Sequence, residues 1–247
     1  MRAGTLRRDI PSGLRVAAPS RKDTIDATGH PLLVLIEGIY DVEFLCRISA
    51  ILRRDDYTIP DLRTWEETGR LIFVPFGGGD PGFWATRFAP LGLFEIHIFD
   101  RETAADSVLR FSAAAIVNRR SNARAFAMSK RSIESYLHPD VIESRFRVRA
   151  TCSDDGRIVD AIADALLRRT CPDLDRGQLS RRGRRRLKLQ IKRKLNHDVV
   201  SNMTPALLDE SDPRGEVLSW LTAMTRSYLP SGRIPDDYSQ RLFGRIL

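Results

Sequence analysis

Short apolar runs alternate with helical patterns along the first part of the chain. Runs of strand length occupy residues 32–37, 71–76, 93–99 and 123–128. Apolar residues recur at helical spacing in the intervals between them, over residues 42–52, 83–88 and 104–117. Strands that alternate with helices are typical of a parallel sheet covered on both faces. The sequence therefore predicts an α/β domain over residues 31–150, with a mostly parallel sheet of about four strands flanked by helices.

The pattern changes after about residue 150, where only helical periodicity remains. It is found in residues 158–169, in the basic stretch that follows, and in residues 215–229 and 236–247. We therefore predict an all-helical part over residues 151–247, which begins near the polar turn at 151–156. Residues 1–30 are polar, basic and contain proline and glycine, which predicts a flexible basic arm.

The basic residues are concentrated in one segment. The 247 residues include 40 Lys and Arg against 32 Asp and Glu, for a net charge of +8. Nine cations and no acid fall in the segment from Arg181 to Lys194: Arg181, Arg182, Arg184, Arg185, Arg186, Lys188, Lys192, Arg193 and Lys194. Leu187, Ile191 and Leu195 form one apolar stripe on this predicted helix, and the cations surround it. Such a helix suits the phosphate backbone of a nucleic acid; the alternative is a solvated helix or a contact with an acidic protein.

Cysteine usage and the N-terminal sequence bear on the compartment. The three cysteines are scattered and form no CxxC pair, which indicates neither a disulfide framework nor a zinc module. A reducing cytoplasm fits this usage best. The N-terminus has no apolar core of signal-peptide length, and no apolar run approaches a membrane span. We therefore expect a cytoplasmic protein that does not act in a membrane.

Acidic residues stand where the predicted strands end. Glu37 ends the first strand, Asp41 follows one helical turn later, and Asp100 and Glu102 end the third strand. Because ligands bind beyond the carboxyl ends of the strands in an open parallel sheet, we expect these four carboxylates to converge. Crowded carboxylates raise one another's pKa values, and a hard divalent cation relieves their repulsion. Each acid taken alone is also an ordinary helix cap or first-turn residue.

The oxygen-only set of ligands predicts Mg²⁺ or Mn²⁺ rather than zinc, as one ion or two. A glycine loop, Gly77, Gly78 and Gly79, follows the second strand. Its N–H groups are expected to face a phosphate at the same edge of the sheet. Together these features favour chemistry on a phosphodiester bond.

The two acidic segments carry a resemblance to a known family. The stretch "LIEGIYDVEFL" followed by "FEIHIFDRE" resembles the Toprim domain of topoisomerases, primases and OLD-type nucleases. That family's pattern is a strand ending in Glu-Gly, an acid shortly after it, and a later strand ending in Asp-x-Asp. A third stretch, "MSKRSIESYLHPDVI", resembles the segment with a Glu-Asn-Tyr-Leu-like core in OLD-type and stand-alone Toprim proteins. The resemblance covers roughly residues 31–143.

The resemblance implies roles for particular residues. It makes Glu37 a general acid/base or a metal ligand. It matches Asp41 to the acid one turn later in the nuclease branch and Asp100 to the first Asp of Asp-x-Asp. Glu102 stands where the family has a second Asp, which is a departure. Glu134 matches the glutamate of the third segment, in which Ser replaces Asn, and Lys130 would place a cation beside the scissile phosphate. The alternative for Lys130 and Glu134 is a salt bridge with each other across a helix start.

The resemblance implies a metal-dependent nuclease in which Glu37, Asp41, Asp100 and Glu102 hold the ions. The sequence contains no Walker-type phosphate-binding motif. It is therefore similar to the stand-alone Toprim effectors of phage defence, which act with a separate ABC-type ATPase. Two alternatives stay open: a ribonuclease-type toxin acting on structured RNA such as tRNA, and a catalytically degenerate Toprim binding or scaffold subunit. The sequence does not separate DNA from RNA as substrate, and an oligomer is possible.

Overall fold

In the computed structural model of the chain, the described residues are 30–102, 104–150, 154–173 and 176–228, without the side chains of residues 104–106 and 176. Three parts of the sequence-based prediction lie outside them. They are the N-terminal arm up to residue 29, the start of the polar turn at 151–153 and the predicted helix over 236–247.

The sheet has four strands, all parallel, in the order β2-β1-β3-β4. Their bounds are β1 Leu32–Ile36, β2 Leu71–Pro75, β3 Glu95–Phe99 and β4 Ala123–Ala127. Each strand lies inside one of the four predicted apolar runs, so the predicted α/β class and the parallel sheet are confirmed. Three of the strands end one residue before the predicted run does.

The order of the strands creates a topological switch point between β1 and β3. Strand β2 pairs with one edge of β1, and β3, the next strand along the chain, pairs with the other edge of β1. In the register, Val34 of β1 lies beside Phe73 of β2 and beside Ile96 of β3. In open α/β sheets the crevice beyond the carboxyl ends of such a pair of strands is where ligands bind.

Nine α-helices are present among the described residues. They are α1 Ile39–Leu52, α2 Leu62–Glu67, α3 Pro81–Arg87, α4 Ala104–Val117, α5 Pro139–Phe146, α6 Ile158–Thr170, α7 Arg181–Lys194, α8 Pro205–Ser211 and α9 Glu216–Tyr228. The described residues from 154 onwards contain no strand, which confirms the helical C-terminal part. The short helices α2, α5 and α8 were not predicted. None of the helices in the described part has the length and apolar character needed to cross a membrane.

The two faces of the sheet are covered by different parts of the chain. One face packs on α3 and α4 through small residues such as Ala85, Ala113 and Ala125, together with Phe99. The other face packs on α1 and on the C-terminal helices in one continuous core. This core contains residues from both sides of position 150, for example Leu45 and Trp220. The domain boundary near residue 150 stays a prediction.

Helix α7 is attached to this core by the predicted stripe. Ile191 and Leu195 are buried and Leu187 packs against the core, which confirms that face of the helix. A π-helical turn, Leu195–Val199, continues α7, and a single 3₁₀ turn, Val200–Asn202, follows it. Both turns pack on α1, the helix that begins directly after β1. The basic helix is therefore held close to the carboxyl end of β1.

Candidate functional site

Three acids meet at the switch point. Glu37 follows β1, and Asp100 and Glu102 follow β3. One carboxylate oxygen from each of the three lies within 4.8 Å of the others. Asp100 is buried, whereas Glu37 and Glu102 are half-buried. The structure therefore brings together three of the four acids that were predicted to converge.

Asp41, the fourth predicted ligand, has a different contact. Its Oδ2 accepts a hydrogen bond of 2.7 Å from the N–H of Gly38, which satisfies a donor at the start of α1. The residue is nevertheless buried beside the acidic cluster. Burial, with smaller contributions from the Glu134 and Glu37 charges, raises the pKa of Asp41 to about 7. Asp41 thus both satisfies a donor at the start of the helix and adds a further carboxyl group to the site.

The burial of the acids disfavours their charged forms. Burial first, and then the Asp41 and Glu37 charges, raise the pKa of Asp100 well above its ordinary value. Burial also raises the pKa of Glu37, and the guanidinium of Arg110 opposes that shift. Nη2 of Arg110 lies 3.5 Å from Oε2 of Glu37. A cation placed among these carboxylates would stabilise their charged forms and lower their pKa values.

Glu134 joins the site from a 3₁₀ turn, Ile133–Tyr136. Its side chain has no solvent exposure. Oε1 accepts a hydrogen bond of 3.1 Å from Asn196 and lies 3.4 Å from Nζ of Lys192. Oε2 is buried and has no hydrogen-bond partner in the described part of the chain. A buried carboxylate oxygen without a donor is costly, and a bound cation would satisfy it.

Lys192 was predicted to bind nucleic acid, and the structure places its ammonium group at the edge of the acidic cluster. The Glu134 charge, followed by those of Asp41 and Asp100, raises the pKa of Lys192. The lysine therefore stays protonated and partly neutralises the carboxylates. It is the point at which the basic helix and the acidic site meet.

Glu102 has an unusual backbone conformation. Its φ of 57° lies in the left-handed region, which is uncommon for a residue other than glycine. Its N–H donates a hydrogen bond of 3.0 Å to the carbonyl oxygen of Arg131. This bond ties the end of β3 to the segment that carries Glu134. Backbone strain of this kind is held in place by the surrounding structure and is found most often at functional sites.

The glycine loop borders the site. Gly77, Gly78 and Gly79 have φ values of 70°, 86° and 91°. A Cβ added to Gly78 would lie 3.7 Å from Oε1 of Glu37, so the loop lies directly against this carboxylate. The N–H of Gly77 donates to the carbonyl oxygen of Glu37 at 2.8 Å. This N–H is therefore not available to a phosphate. The predicted role of the loop in phosphate binding depends on the N–H groups of the other two glycines.

Lys130 makes its contacts on the other side of the Glu134 segment. Its Nζ donates to the carbonyl oxygen of Ser135 at 3.0 Å and lies 3.8 Å from Asp154 and 5.3 Å from the ring centroid of Tyr136. None of these partners belongs to the acidic cluster. The ion pair of Glu134 is made with Lys192, so the alternative of a Lys130–Glu134 salt bridge is not formed among the described contacts. A role for Lys130 at a phosphate stays a prediction.

The nine cations of α7 have different environments. Six are exposed: Arg181, Arg182, Arg185, Arg186, Arg193 and Lys194. The other three are half-buried and have protein partners. Arg184 donates to the carbonyl oxygen of Leu179 at 2.7 Å, and Lys188 lies 2.8 Å from Asp160. The third of these, Lys192, is the lysine paired with Glu134.

Two residues of the site were not singled out from the sequence. Arg110 is the only charged residue between Ser107 and Val117, and a lone charge in an apolar helix is a signal that it has a specific partner. Asn196 follows Lys192 by four positions, so the two lie on one helical face beside the apolar stripe. That spacing indicates that both side chains point toward the core.

The set of donors fits a hard divalent cation. Carboxylate oxygens from Glu37, Asp100 and Glu102 are the ligands that Mg²⁺ and Mn²⁺ prefer, and no sulfur or imidazole donor belongs to the described cluster. A cation held in this site would also satisfy the buried Oε2 of Glu134, which has no hydrogen-bond partner among the described residues. Comparisons of the chain with protein-family models, with curated proteins and with solved structures found no match.

Proposed function

We propose that the protein is a Mg²⁺- or Mn²⁺-dependent nuclease of the Toprim type, which hydrolyses phosphodiester bonds in nucleic acid. The observation that supports it best is the convergence of Glu37, Asp100 and Glu102 at the switch point of a parallel sheet. These are the acids that the Toprim resemblance assigns to the metal. Asp41 and Glu134 add two further buried carboxylates to the same site.

Each residue has a role that follows from its position. Glu37, Asp100 and Glu102 would hold the first ion, and Glu134 with Asp41 would hold a second. A divalent cation bound there supplies the charge that polarises a phosphodiester and stabilises the leaving oxygen. In the alternative role that the resemblance gives Glu37, a general acid/base instead of a metal ligand, its Oε2 beside Arg110 would move the proton. Lys192 offers the substrate phosphate a permanent positive charge at the edge of the site.

The basic helix α7 would bind the substrate backbone, since it carries a dense cluster of cations that reaches the acidic site at Lys192. Control of the activity by a separate ABC-type ATPase, in the setting of antiviral defence, is part of this proposal. It is supported by the resemblance to stand-alone Toprim effectors.

Incubation of the purified protein with plasmid DNA and with total RNA tests the proposal. Cleavage of one or both is expected with Mg²⁺ or Mn²⁺ and is expected to stop when EDTA is added. Asp100→Asn keeps the shape of the side chain and removes its charge, so it should abolish cleavage and weaken Mn²⁺ binding in a calorimetric titration. Full cleavage by Asp100→Asn would contradict the proposed site. Cleavage of RNA alone would select the ribonuclease alternative.

A non-catalytic binding subunit with the same fold is the second candidate. It is favoured by Glu102, which departs from the family's Asp and has a left-handed backbone. This candidate predicts that no nucleic acid is cleaved under any of these conditions, even where Mn²⁺ is bound. The calorimetric titration and the cleavage assay together separate the two functions.

A further inference from the structure

A groove of about 610 Å³ runs between α6 and α7. The wall on the α6 side contributes Arg157 and Asp160. The wall on the α7 side contributes Arg181, Arg184, Arg185, Lys188, Leu189 and Lys192. The α7 positions are spaced by one, three or four residues, so they form one continuous face of the helix.

This groove divides the basic cluster of α7 into two sets. Five cations line the groove. Arg182, Arg186, Arg193 and Lys194 do not line it, and all four are exposed on the outer side of the helix. Composition alone treats the nine cations as equivalent, but the structure gives only the first set a concave surface.

The groove and the acidic site share a residue. Lys192 lines the groove, and its Nζ lies 3.4 Å from Oε1 of Glu134. The Asp41 and Asp100 charges also act on Lys192, which places its ammonium group within reach of the acidic cluster. A chain of phosphates lying in the groove would therefore be led toward the proposed metal ligands.

Asp160 connects the two walls of the groove. Its carboxylate lies 2.8 Å from Nζ of Lys188 on the opposite wall and 3.9 Å from Nη1 of Arg157 on its own wall. The side chain of Asp160 is only 12% exposed. The carboxylate therefore fixes the width of the groove at Lys188, and Arg181 and Arg185 remain exposed for a ligand.

We propose that the α6–α7 groove binds the phosphate backbone of a single nucleic-acid strand and leads it to the acidic site, and that the outer cations of α7 take no part. The destination of the strand rests on the proposed nuclease function, whereas binding in the groove does not. A groove of this volume, lined by cations along one face of a helix, takes a short stretch of one sugar-phosphate backbone. Cation-lined grooves that follow the backbone are the usual means of holding single strands.

Two matched double variants test this division. Arg181→Gln with Arg185→Gln removes two groove cations, and Arg182→Gln with Arg186→Gln removes two outer cations. The two pairs have the same residue type, spacing and change in net charge, and all four side chains are exposed. Among the described residues, the side chains of these four arginines make no hydrogen bond or ion pair. Similar thermal unfolding of the two variants would confirm that they are matched.

Affinity for a fluorescent single-stranded RNA and a single-stranded DNA oligonucleotide is measured over a range of salt concentrations in EDTA, where no cleavage occurs. For the groove variant, the slope of log affinity against log salt should shrink by roughly 0.7 per lost phosphate contact, and affinity should fall about tenfold near physiological salt. The outer variant should match the wild type. Equal losses in the two variants, a larger loss in the outer variant, or no loss in either would overturn the proposal.

The outcome for the groove is separate from the outcome for the nuclease. If only the groove variant loses affinity while Asp100→Asn binds Mn²⁺ as the wild type does, the groove assignment stands and the proposed catalytic site fails. If both variants lose affinity equally while Asp100→Asn loses cleavage, the nuclease stands and the groove assignment fails.

Discussion

Nζ of Lys192 lies 3.4 Å from Oε1 of Glu134, and this pair joins the basic helix α7 to the acidic site at the sheet edge. Asn196, one turn further along, donates a hydrogen bond to the same oxygen. Glu134 is fully buried, so it depends on these two partners for the charge and the donor that it needs.

Loss of the lysine should destabilise the protein. Lys192→Gln leaves a buried carboxylate without its counter-charge, so the free energy of unfolding should fall. We expect a fall of about 2 kcal/mol, which is less than for a fully buried ion pair, because the lysine is partly exposed. Urea unfolding measures the change, with the exposed Lys194→Gln as the control. Adding Glu134→Gln to Lys192→Gln should restore part of the loss. If Glu134→Gln instead adds to the destabilisation caused by Lys192→Gln, the two side chains are not coupled.

The stability of the metal-free protein should fall as the pH rises. An unfolded aspartate releases its proton near pH 3.8, whereas Asp41 keeps its proton until about pH 7. Between these values the native state binds more protons than the unfolded state does. The contribution of Asp41 to the free energy of unfolding therefore falls by up to about 1.4 kcal/mol per pH unit and is lost above its native pKa.

Asp41→Asn isolates this effect, because the amide oxygen can still accept the hydrogen bond from Gly38 and does not titrate. Denaturant unfolding in EDTA, between about pH 4.5 and pH 8, should give a steeper decline for the wild type than for the variant. Parallel curves for the two proteins would show that Asp41 is already ionised over this range.

Asp100→Asn should raise the stability of the protein in EDTA, since it removes one of several crowded carboxylates. Thermal unfolding should show a higher midpoint for the variant than for the wild type. Added Mn²⁺ should raise the midpoint of the wild type and leave the variant nearly unchanged. Asp55→Asn, at an exposed aspartate in the turn after α1, serves as the control. A midpoint that rises equally with Mn²⁺ in both proteins would place the ion elsewhere.

Substitutions of Glu102 separate the effect of its charge from the effect of its backbone conformation. Glu102→Gln keeps the left-handed strain and should lose most Mn²⁺ affinity, whereas Glu102→Asp keeps the charge and should retain cleavage. Glu102→Gly should relieve about 1 kcal/mol of strain and also lose the ion. Calorimetric Mn²⁺ titration and thermal unfolding give the two readouts. Equal Mn²⁺ affinity in the Gln and Asp variants would remove Glu102 from the set of ligands.

Gly78 and Gly79 form a matched pair in the loop beside Glu37. Both have φ near 90°, so Gly78→Ala and Gly79→Ala should each lose roughly 1–2 kcal/mol of stability. A methyl group at Gly78 would contact Oε1 of Glu37, while a methyl group at Gly79 would meet no atom within 4 Å among the described residues. Cleavage should therefore fall further in Gly78→Ala. Equal cleavage by the two variants would show that the space beside Glu37 is not used by the substrate.

The sheet and its acidic edge could be predicted from local signals. Continuous apolar runs mark buried parallel strands, and Glu37 and Asp100 follow two such runs directly. Helices α2, α5 and α8 are six to eight residues long, so each gives only a weak apolar period, and of the helices this short only α3 was predicted. Their position depends on contacts with the rest of the fold.

The distribution of contacts among the cations could not be predicted. In sequence, Lys192 is one of nine similar residues, and only the packing of Leu195 and of the turn after it determines which of them meets Glu134. The same holds for Asp41, whose hydrogen bond to Gly38 is local, while its nearness to Glu134 is set by the tertiary fold. The residue types indicate the chemistry of the site, whereas long-range packing determines which residues lie together in it.

The contact between Lys192 and Glu134 also bears on the order in which the molecule is completed during synthesis. All the carboxylates of the site leave the ribosome well before Lys192 and Asn196 do. Until these two residues emerge, the carboxylate of Glu134 has neither its counter-charge nor its hydrogen-bond donor. A nascent chain that ends before α7 therefore lacks part of the core and both partners of Glu134, so the sheet with its acidic edge cannot reach its native packing ahead of the basic helix.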